Sequence, residues 1–134
     1  MKRREALVVL GAAAAPATAA EPKFLTAAEF GELAKLVDAI LPRTDTPGAS
    51  DALAHVLIDE RCAANAEFGG RIRSMIAALK GLPNGWDRTE HFRVLKDATI
   101  DAYYSTRDGL QTELGWNANT YLPEWKGCTH EEHR

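Results

Sequence analysis

The residues best suited to bind a metal ion lie at the end of the chain. Cys128, His130 and His133 offer one thiolate and two imidazoles, which are good ligands for zinc or copper. A structural zinc site needs four such ligands, and the other histidines, His55 and His91, lie on predicted helices without ligand spacing. A disulfide cysteine followed by a polar chain end explains the same residues. We favour this second interpretation.

Carboxylates flank the first predicted loop, at Asp38, Asp45, Asp51, Asp59 and Glu60. Two carboxylates can act together as general acid and base. Nothing in this spacing predicts a cleft, however, and charged groups beside loops are usually solvated. The sequence also lacks a nucleophile elbow, a phosphate-binding loop and a C-x-x-C-H haem motif. It therefore predicts a chain without catalytic machinery.

The N-terminus has the pattern of an export signal. Arg3 and Arg4 belong to a basic head, and residues 6–20 are an uncharged run of small and apolar residues. Adjacent arginines in such a head are typical of the bacterial twin-arginine route, which carries folded proteins. We expect residues 1–20 to be a twin-arginine-type signal peptide and the mature protein to be periplasmic.

Export would place both cysteines in an oxidising compartment, where free thiols rarely persist. Our first choice is an internal disulfide between Cys62 and Cys128, and a bridge from one of them to a partner chain is the other choice. Two unpaired cysteines are the reading that this compartment favours least.

The composition is that of one small globular domain and excludes two classes of partner. The formal net charge is -3, and basic residues are scattered, whereas nucleic-acid binding requires a clustered positive face. After residue 20 no apolar stretch is long enough to span a membrane.

The apolar pattern of residues 21–104 predicts an all-α fold, an irregular bundle of about four helices. Thr26 and Glu29 form a capping box for the first helix, which Pro42 ends. Ser50 or Asp51 is expected to cap a second helix that reaches about residue 64.

The third helix is predicted from about residue 68 to residue 80, with a first turn that Gly69 and Gly70 weaken. Thr89 is expected to cap the fourth helix, over residues 90–104. The predicted apolar faces of the four helices, in order, are Phe30, Leu33, Val37, Ile40 and Leu41; Leu53, Val56 and Leu57, extended by Cys62; Ile72, Met75, Ile76 and Leu79; and Phe92, Leu95, Thr99, Ala102 and Tyr103.

Residues 105–134 are predicted to form an extended, irregular tail that is rich in aromatic residues. Glycines and prolines interrupt any helical pattern there, yet two of the three tryptophans of the chain are found in this tail. A disordered tail is usually poor in aromatic residues, so this one should pack on its own helices or on another protein. The expected partner-contacting residues are Trp116, Asn119, Tyr121 and Trp125.

Several segments resemble one protein family, the small subunit (subunit 3 or gamma) of bacterial gluconate 2-dehydrogenases. The resemblance is carried by the Arg3-Arg4 pair, by residues 24–30 and 40–49 around the first helix, and by residues 102–105, 114–121 and 127–130 near the end.

The resemblance implies a non-catalytic subunit without a cofactor of its own. Members of the family accompany a large FAD-containing flavoprotein of the glucose–methanol–choline type, often together with a cytochrome c subunit. The flavoprotein oxidises a sugar, a sugar acid or a glycoside and usually has no signal, so the small subunit carries it through the twin-arginine translocase. The ending at residues 127–130 looks most like that of the partners of glycoside-oxidising enzymes, such as those that act at the sugar C3 hydroxyl.

Two other functional classes stay open at this point. One is a free-standing periplasmic binding protein that holds a metal through Cys128, His130 and His133. The other is an independent enzyme, against which the missing catalytic motifs argue.

Overall fold

The structure, a computed structural model, describes residues 20–116. It contains four α-helices: α1 (Ala27–Ile40), α2 (Ala54–Ala64), α3 (Ala66–Leu79) and α4 (Glu90–Tyr103). A single 3₁₀ turn, Trp86–Arg88, precedes α4, and a π-helical segment, Asp108–Glu113, follows it. The described range contains no strand, and the predicted all-α bundle of about four helices is confirmed.

Three of the four helices begin at a polar side chain that caps them. The Thr26 hydroxyl accepts from the Glu29 N–H, and the Glu29 carboxylate accepts from the Thr26 N–H, so the predicted capping box is confirmed. Asn65 and Thr89 cap α3 and α4 by accepting from the N–H three residues later. Each cap satisfies a main-chain donor that has no partner within the helix.

Helix α2 begins at Ala54, later than expected, and the prediction that Ser50 or Asp51 caps it is wrong. Ser50 instead donates its N–H and its hydroxyl to Asp38, at 2.8 and 2.5 Å. The residue at the N-cap position is Leu53, whose backbone is left-handed with φ 61° and ψ 30° and whose side chain makes no cap. The polar side chains of this stretch thus hold the loop before α2 rather than the helix itself.

Of the predicted buried face of α2, only its extension by Cys62 is confirmed. Leu53 is 55% exposed, and Val56 and Leu57 are only half-buried. The apolar residues that face the core lie four positions apart, at Ala54, Ile58 and Cys62. The residues that α2 buries are Ala54, Ile58, Asp59 and Cys62.

Helices α1 and α3 run in the same direction. The guanidinium of Arg73, in the middle of α3, meets the carboxylate of Glu29, in the first turn of α1, at 3.4 Å. Near their last turns Leu36 and Leu82 line one shallow depression. Helix α4 lies parallel to α3, since the first turns of both helices, at Glu67 and Glu90, line a common depression.

Helix α2 runs the opposite way. Arg61 near its end pairs with Asp101 of α4 at 3.6 Å, while Leu57 nearer its start lines a groove with Ser105, just beyond the end of α4. The end where α1, α3 and α4 finish and α2 begins therefore collects the connections of residues 41–53, 80–85 and 104–116. We call it the loop end of the bundle.

The core is built from all four helices. The faces predicted for α3 and α4 are largely confirmed, although Phe92 is only half-buried and Ala98 takes part instead. In α1 the half-buried Phe30 and Ile40 pack at the edge of the core. The fully buried side chains include Leu33, Val37, Ile58, Cys62, Ile72, Met75, Leu79, Leu95, Thr99 and Tyr103.

The short segment before α1 is fastened to α2 and α3. The carboxylate of Asp59 is buried and accepts from three consecutive N–H groups, those of residues 23–25, at 2.5, 3.2 and 2.8 Å. The ring of Phe24 lies on Gly69, where a Cβ atom would come within 2.5 Å of the ring. The guanidinium of Arg73 lies 4.3 Å from the centre of the same ring. Gly69 is therefore required for this packing, which takes place at the end of the bundle opposite the loop end.

Candidate protein-binding surface

Most of the predicted site residues lie outside the described residues 20–116. They are Arg3, Arg4, Asn119, Tyr121, Trp125, Cys128, His130 and His133. The disulfide between Cys62 and Cys128, its rival with a partner chain and the metal-binding alternative therefore stay predictions. Within residues 20–116 no three histidine, cysteine or carboxylate side chains come together as metal ligands.

Cys62 is a core residue of α2. Its side chain is fully buried beside the other apolar residues of the bundle. Burial, followed by the negative charge of Asp59, raises the pKa of the thiol to about 11. The thiol is thus neutral at physiological pH and packs as a small apolar group.

The carboxylates of the first loop hold main chain rather than face each other as an acid–base pair. Asp38 accepts from Ser50, and Asp59, expected to be solvated, is only 2% exposed and holds residues 23–25. Asp51 accepts from the Gly48 N–H and pairs with the guanidinium of Arg43, and these two bonds lower its pKa, the arginine bond more strongly. These side chains serve the fold, and sequence reasoning missed this role.

The loop between α1 and α2 is braced from within. The Ala49 N–H donates to the Leu41 carbonyl at 2.9 Å, which closes the loop at its base. The Nε of Arg43 donates to Asp51 at 2.8 Å across its middle. Such internal bonds leave the loop a single preferred shape, and a preformed loop pays less ordering entropy when a partner binds.

Tyr103 joins this loop to the segment after α4. Its hydroxyl donates to the carbonyl of Pro47 at 2.8 Å. Burial, followed by the neighbouring Glu113, raises the pKa of the phenol to about 12, so it stays a donor. On the other side of the same residue, Gly109 lies so close to the Tyr103 backbone that no Cβ atom would fit. The loop and the segment 104–116 therefore form adjoining parts of one surface.

The exposed large apolar side chains of residues 20–116 all belong to the connections at the loop end. They are Leu53, 55% exposed, Leu82, 41%, Leu114, 61%, and Trp116, 53%. The main-chain N–H of Trp116 donates to the Leu110 carbonyl at 2.8 Å, which holds the backbone of this residue in place. A group of exposed apolar side chains on one side of a small domain is typical of a protein-interaction site.

Leu53 and Leu82 are strained as well as exposed. Their φ angles are 61° and 51°, and they are the two non-glycine residues of the range 20–116 with positive φ. This left-handed backbone costs an L-residue with a Cβ atom about 1–2 kcal/mol. Complete burial of a leucine side chain contributes about 1.5–3 kcal/mol, but these two stay about half in water. The sequence predicted that Leu53 is buried, which is wrong. The exposure of Leu82 could have been predicted, because this leucine lies between Gly81 and Pro83 in a predicted helix break.

A small helical bundle with exposed apolar side chains gathered at one end is typical of a protein-binding subunit. Residues 27–82 match the family model described as gluconate 2-dehydrogenase subunit 3, the family that the sequence motifs also indicate. The matched range runs from the start of α1 to Leu82 and so includes both strained leucines. Comparison with curated proteins gives no significant match, and comparison with solved structures gives none either.

The description of this family is that of one subunit of a dehydrogenase, which implies association with other subunits. Among the helices of residues 20–116, none has the length and apolar character needed to cross a bilayer.

Proposed function

We propose that this chain is the non-catalytic small subunit of a periplasmic FAD-dependent dehydrogenase and that it escorts the flavoprotein subunit through the twin-arginine translocase. The observation that carries the proposal is the collection of exposed apolar side chains at the loop end of a domain of this family. Large apolar anchors near the centre of an interface supply most of the affinity of stable complexes.

The partner in this proposal is a flavoprotein of the glucose–methanol–choline type. It would hold the FAD and oxidise a sugar or glucoside, as a gluconate 2-dehydrogenase or a glucoside 3-dehydrogenase does. A cytochrome c subunit is the third component. Trp116 and the residues that follow it, Asn119, Tyr121 and Trp125, would contact the flavoprotein together with the loop end.

The two ends of the bundle suit two simultaneous tasks. The predicted signal peptide joins the domain at residues 23–25, beside Asp59 and Gly69, away from the loop end. A translocase that binds the signal and a flavoprotein that covers the loop end would therefore not compete for the same surface. An escort needs this separation, because the complex must stay intact while the signal is engaged.

The export role is tested by producing the full chain together with the proposed flavoprotein partner in the native host. Changing both Arg3 and Arg4 to lysine should leave both proteins together in the cytoplasm, since the twin-arginine route requires the arginine pair. Lys2→Arg is the matched control, because it changes the same basic head and should leave export intact. A flavoprotein that still reaches the periplasm with the double variant would show that the escort role is wrong.

Association is tested separately by purification of the chain from the native host. A co-purifying large subunit with a flavin absorption spectrum supports the proposal. A chain that purifies alone under conditions in which the flavoprotein is present would contradict it.

A further inference from the structure

Two leucines combine a strained backbone with an exposed side chain. Leu53 immediately precedes α2, and Leu82 follows the end of α3, so both lie at the loop end. Neither combination is expected from the stability of the isolated domain. Glycine or asparagine adopts a left-handed backbone at lower cost, and an exposed leucine recovers little of that cost by burial.

Neither side chain belongs to the buried core of the described residues. Leu53 occupies an N-cap position but makes no side-chain cap bond. Leu82 lies between Gly81, itself left-handed with φ 72°, and Pro83. Its side chain lines a shallow, open depression together with Leu36 of α1. Each leucine thus combines a strained backbone with a side chain about half exposed, and backbone strain of this kind concentrates at binding sites.

We propose that Leu53 and Leu82 are two further anchor side chains, besides the predicted tryptophans, that the large flavoprotein subunit buries. The inference rests on the proposed function and adds to it the residues that determine binding. Burial by a partner would stabilise the complex through each leucine side chain. The backbone strain would add no further cost to binding, because it is already present in the free domain. The anchors are held in place before binding, by the braced loop in one case and by a Gly-Pro turn in the other.

The surroundings of each leucine indicate what it fits. Leu82 shares its depression with Lys35 and Lys80, against the single carboxylate of Glu32. The complementary socket on the flavoprotein should therefore be apolar with an acidic rim. Leu53 follows the paired Arg43 and Asp51, whose charges balance, so its socket should be apolar with an uncharged rim.

The test measures stability and affinity in the same variants. Leu53→Asn and Leu82→Asn are made in the full chain, which is studied both alone and in complex with the flavoprotein. Asparagine tolerates the left-handed backbone, so the free variants should unfold at the same urea concentration as the wild type or a higher one. Each variant should nevertheless raise the dissociation constant of the complex about tenfold, because an anchor is lost.

Two controls separate an anchor from a merely structural residue. Leu53→Met keeps a large apolar side chain on the strained backbone and should bind within about twofold of the wild type. Ala63→Asn, at an exposed position near the end of α2 and away from the loop end, should leave the affinity unchanged.

Three results would overturn the inference. Asparagine variants that bind like the wild type would show that the leucines are not anchors. Asparagine variants that bind weakly only because they unfold earlier would make the leucines structural. A free chain whose dimers dissociate in the asparagine variants while flavoprotein binding persists would assign the leucines to self-association. Failure of the wild-type chain itself to bind any flavoprotein would instead remove the proposed function, on which the inference rests.

Discussion

The hydroxyl of Tyr103 donates a hydrogen bond to the carbonyl of Pro47 across 56 positions of the chain, at 2.8 Å. This bond ties the loop between α1 and α2 to the end of α4. Both flanks of the bond belong to the loop end, so Tyr103 sets how the loop and the segment 104–116 meet.

Removing the Tyr103 hydroxyl should loosen this connection. We expect Tyr103→Phe to lower the free energy of unfolding by about 1 kcal/mol, the usual contribution of one such bond. Urea unfolding of the chain measures it. Tyr104→Phe is the control, because it removes a hydroxyl whose partner, Glu113, is solvent-exposed, and it should cost less. Equal effects of the two variants would contradict a special role for Tyr103.

The two adjacent glycines of α3 should respond to alanine in opposite directions. At Gly69 a Cβ atom would meet the ring of Phe24 within 2.5 Å, whereas at Gly70 nothing lies within 4 Å. We expect Gly69→Ala to destabilise the domain by about 1–3 kcal/mol through overpacking. Gly70→Ala should stabilise it by up to about 1 kcal/mol, because alanine is the better helix former. Thermal unfolding of both variants decides, and stabilisation by both would show that the Phe24 packing is loose.

His55 should make stability depend on pH. Burial lowers its pKa, although the charge of Asp38 acts in the opposite direction, and its Nδ1 is buried beside Phe30 without a hydrogen-bond partner in the described structure. The folded state therefore binds the proton less readily than the unfolded state does. The stabilisation is complete above the unfolded pKa of about 6.5 and is lost as the pH falls below it.

Urea unfolding at a series of pH values between about 5 and 8 measures this dependence. His55→Gln should flatten the slope over that window, whereas His91→Gln, on α4, should keep it. An unchanged slope in His55→Gln would assign the pH dependence to other groups.

The tryptophans of the C-terminal part should act at the interface. Trp116 is more than half exposed, and a small bundle has little core to spare for further large rings. We expect Trp116→Ala and Trp125→Ala each to weaken the complex with the flavoprotein by about 2 kcal/mol or more, as interface anchors do. The isolated mature domain should be prone to aggregation, because its apolar surface then faces water. Variants that only melt earlier, with unchanged affinity for the partner, would place these rings in the core.

The pairing of the two cysteines is determined by non-reducing gel electrophoresis of the purified complex. We expect an internal bridge between Cys62 and Cys128, which would fasten the tail to α2. Cys62→Ala and Cys128→Ala should then each leave the other thiol open to alkylation in the denatured chain. A covalent adduct with the large subunit would show that a cysteine pairs across the interface instead.

Local chemistry was enough to predict three of the four helices. The caps at Thr26 and Thr89 and the regular apolar faces of α3 and α4 act over three or four residues, a range that sequence patterns describe well. The start of α2 depends instead on bonds across the loop, from Asp38 to Ser50 and from Arg43 to Asp51. These bonds divert the expected caps, and the helix begins only after the left-handed turn at Leu53.

The candidate site was predictable only in part for the same reason. Trp116 is exposed, and its place at an interface stays a prediction, whereas no pattern in the sequence shows that Leu53 is exposed. The role of Asp59 was equally hidden, since the N–H groups that it binds lie 34 to 36 positions away. A carboxylate next to a loop looks solvated until its distant main-chain donors are known.

The hydrogen bonds that Asp59 accepts from residues 23–25 fix the position of the beginning of the domain on its surface. Only Glu21 and Pro22 separate this fastening from the predicted signal peptide. A signal that ends at residue 20 would be joined to this segment by two residues only, a connection too short to let it reach the far end of the bundle. Asp59 and Gly69 can bind the segment before α1 only after α2 and α3 have packed. The connection to the signal is therefore this short only in a folded domain. Folding of the escort would thus fix the direction in which its cargo is pulled.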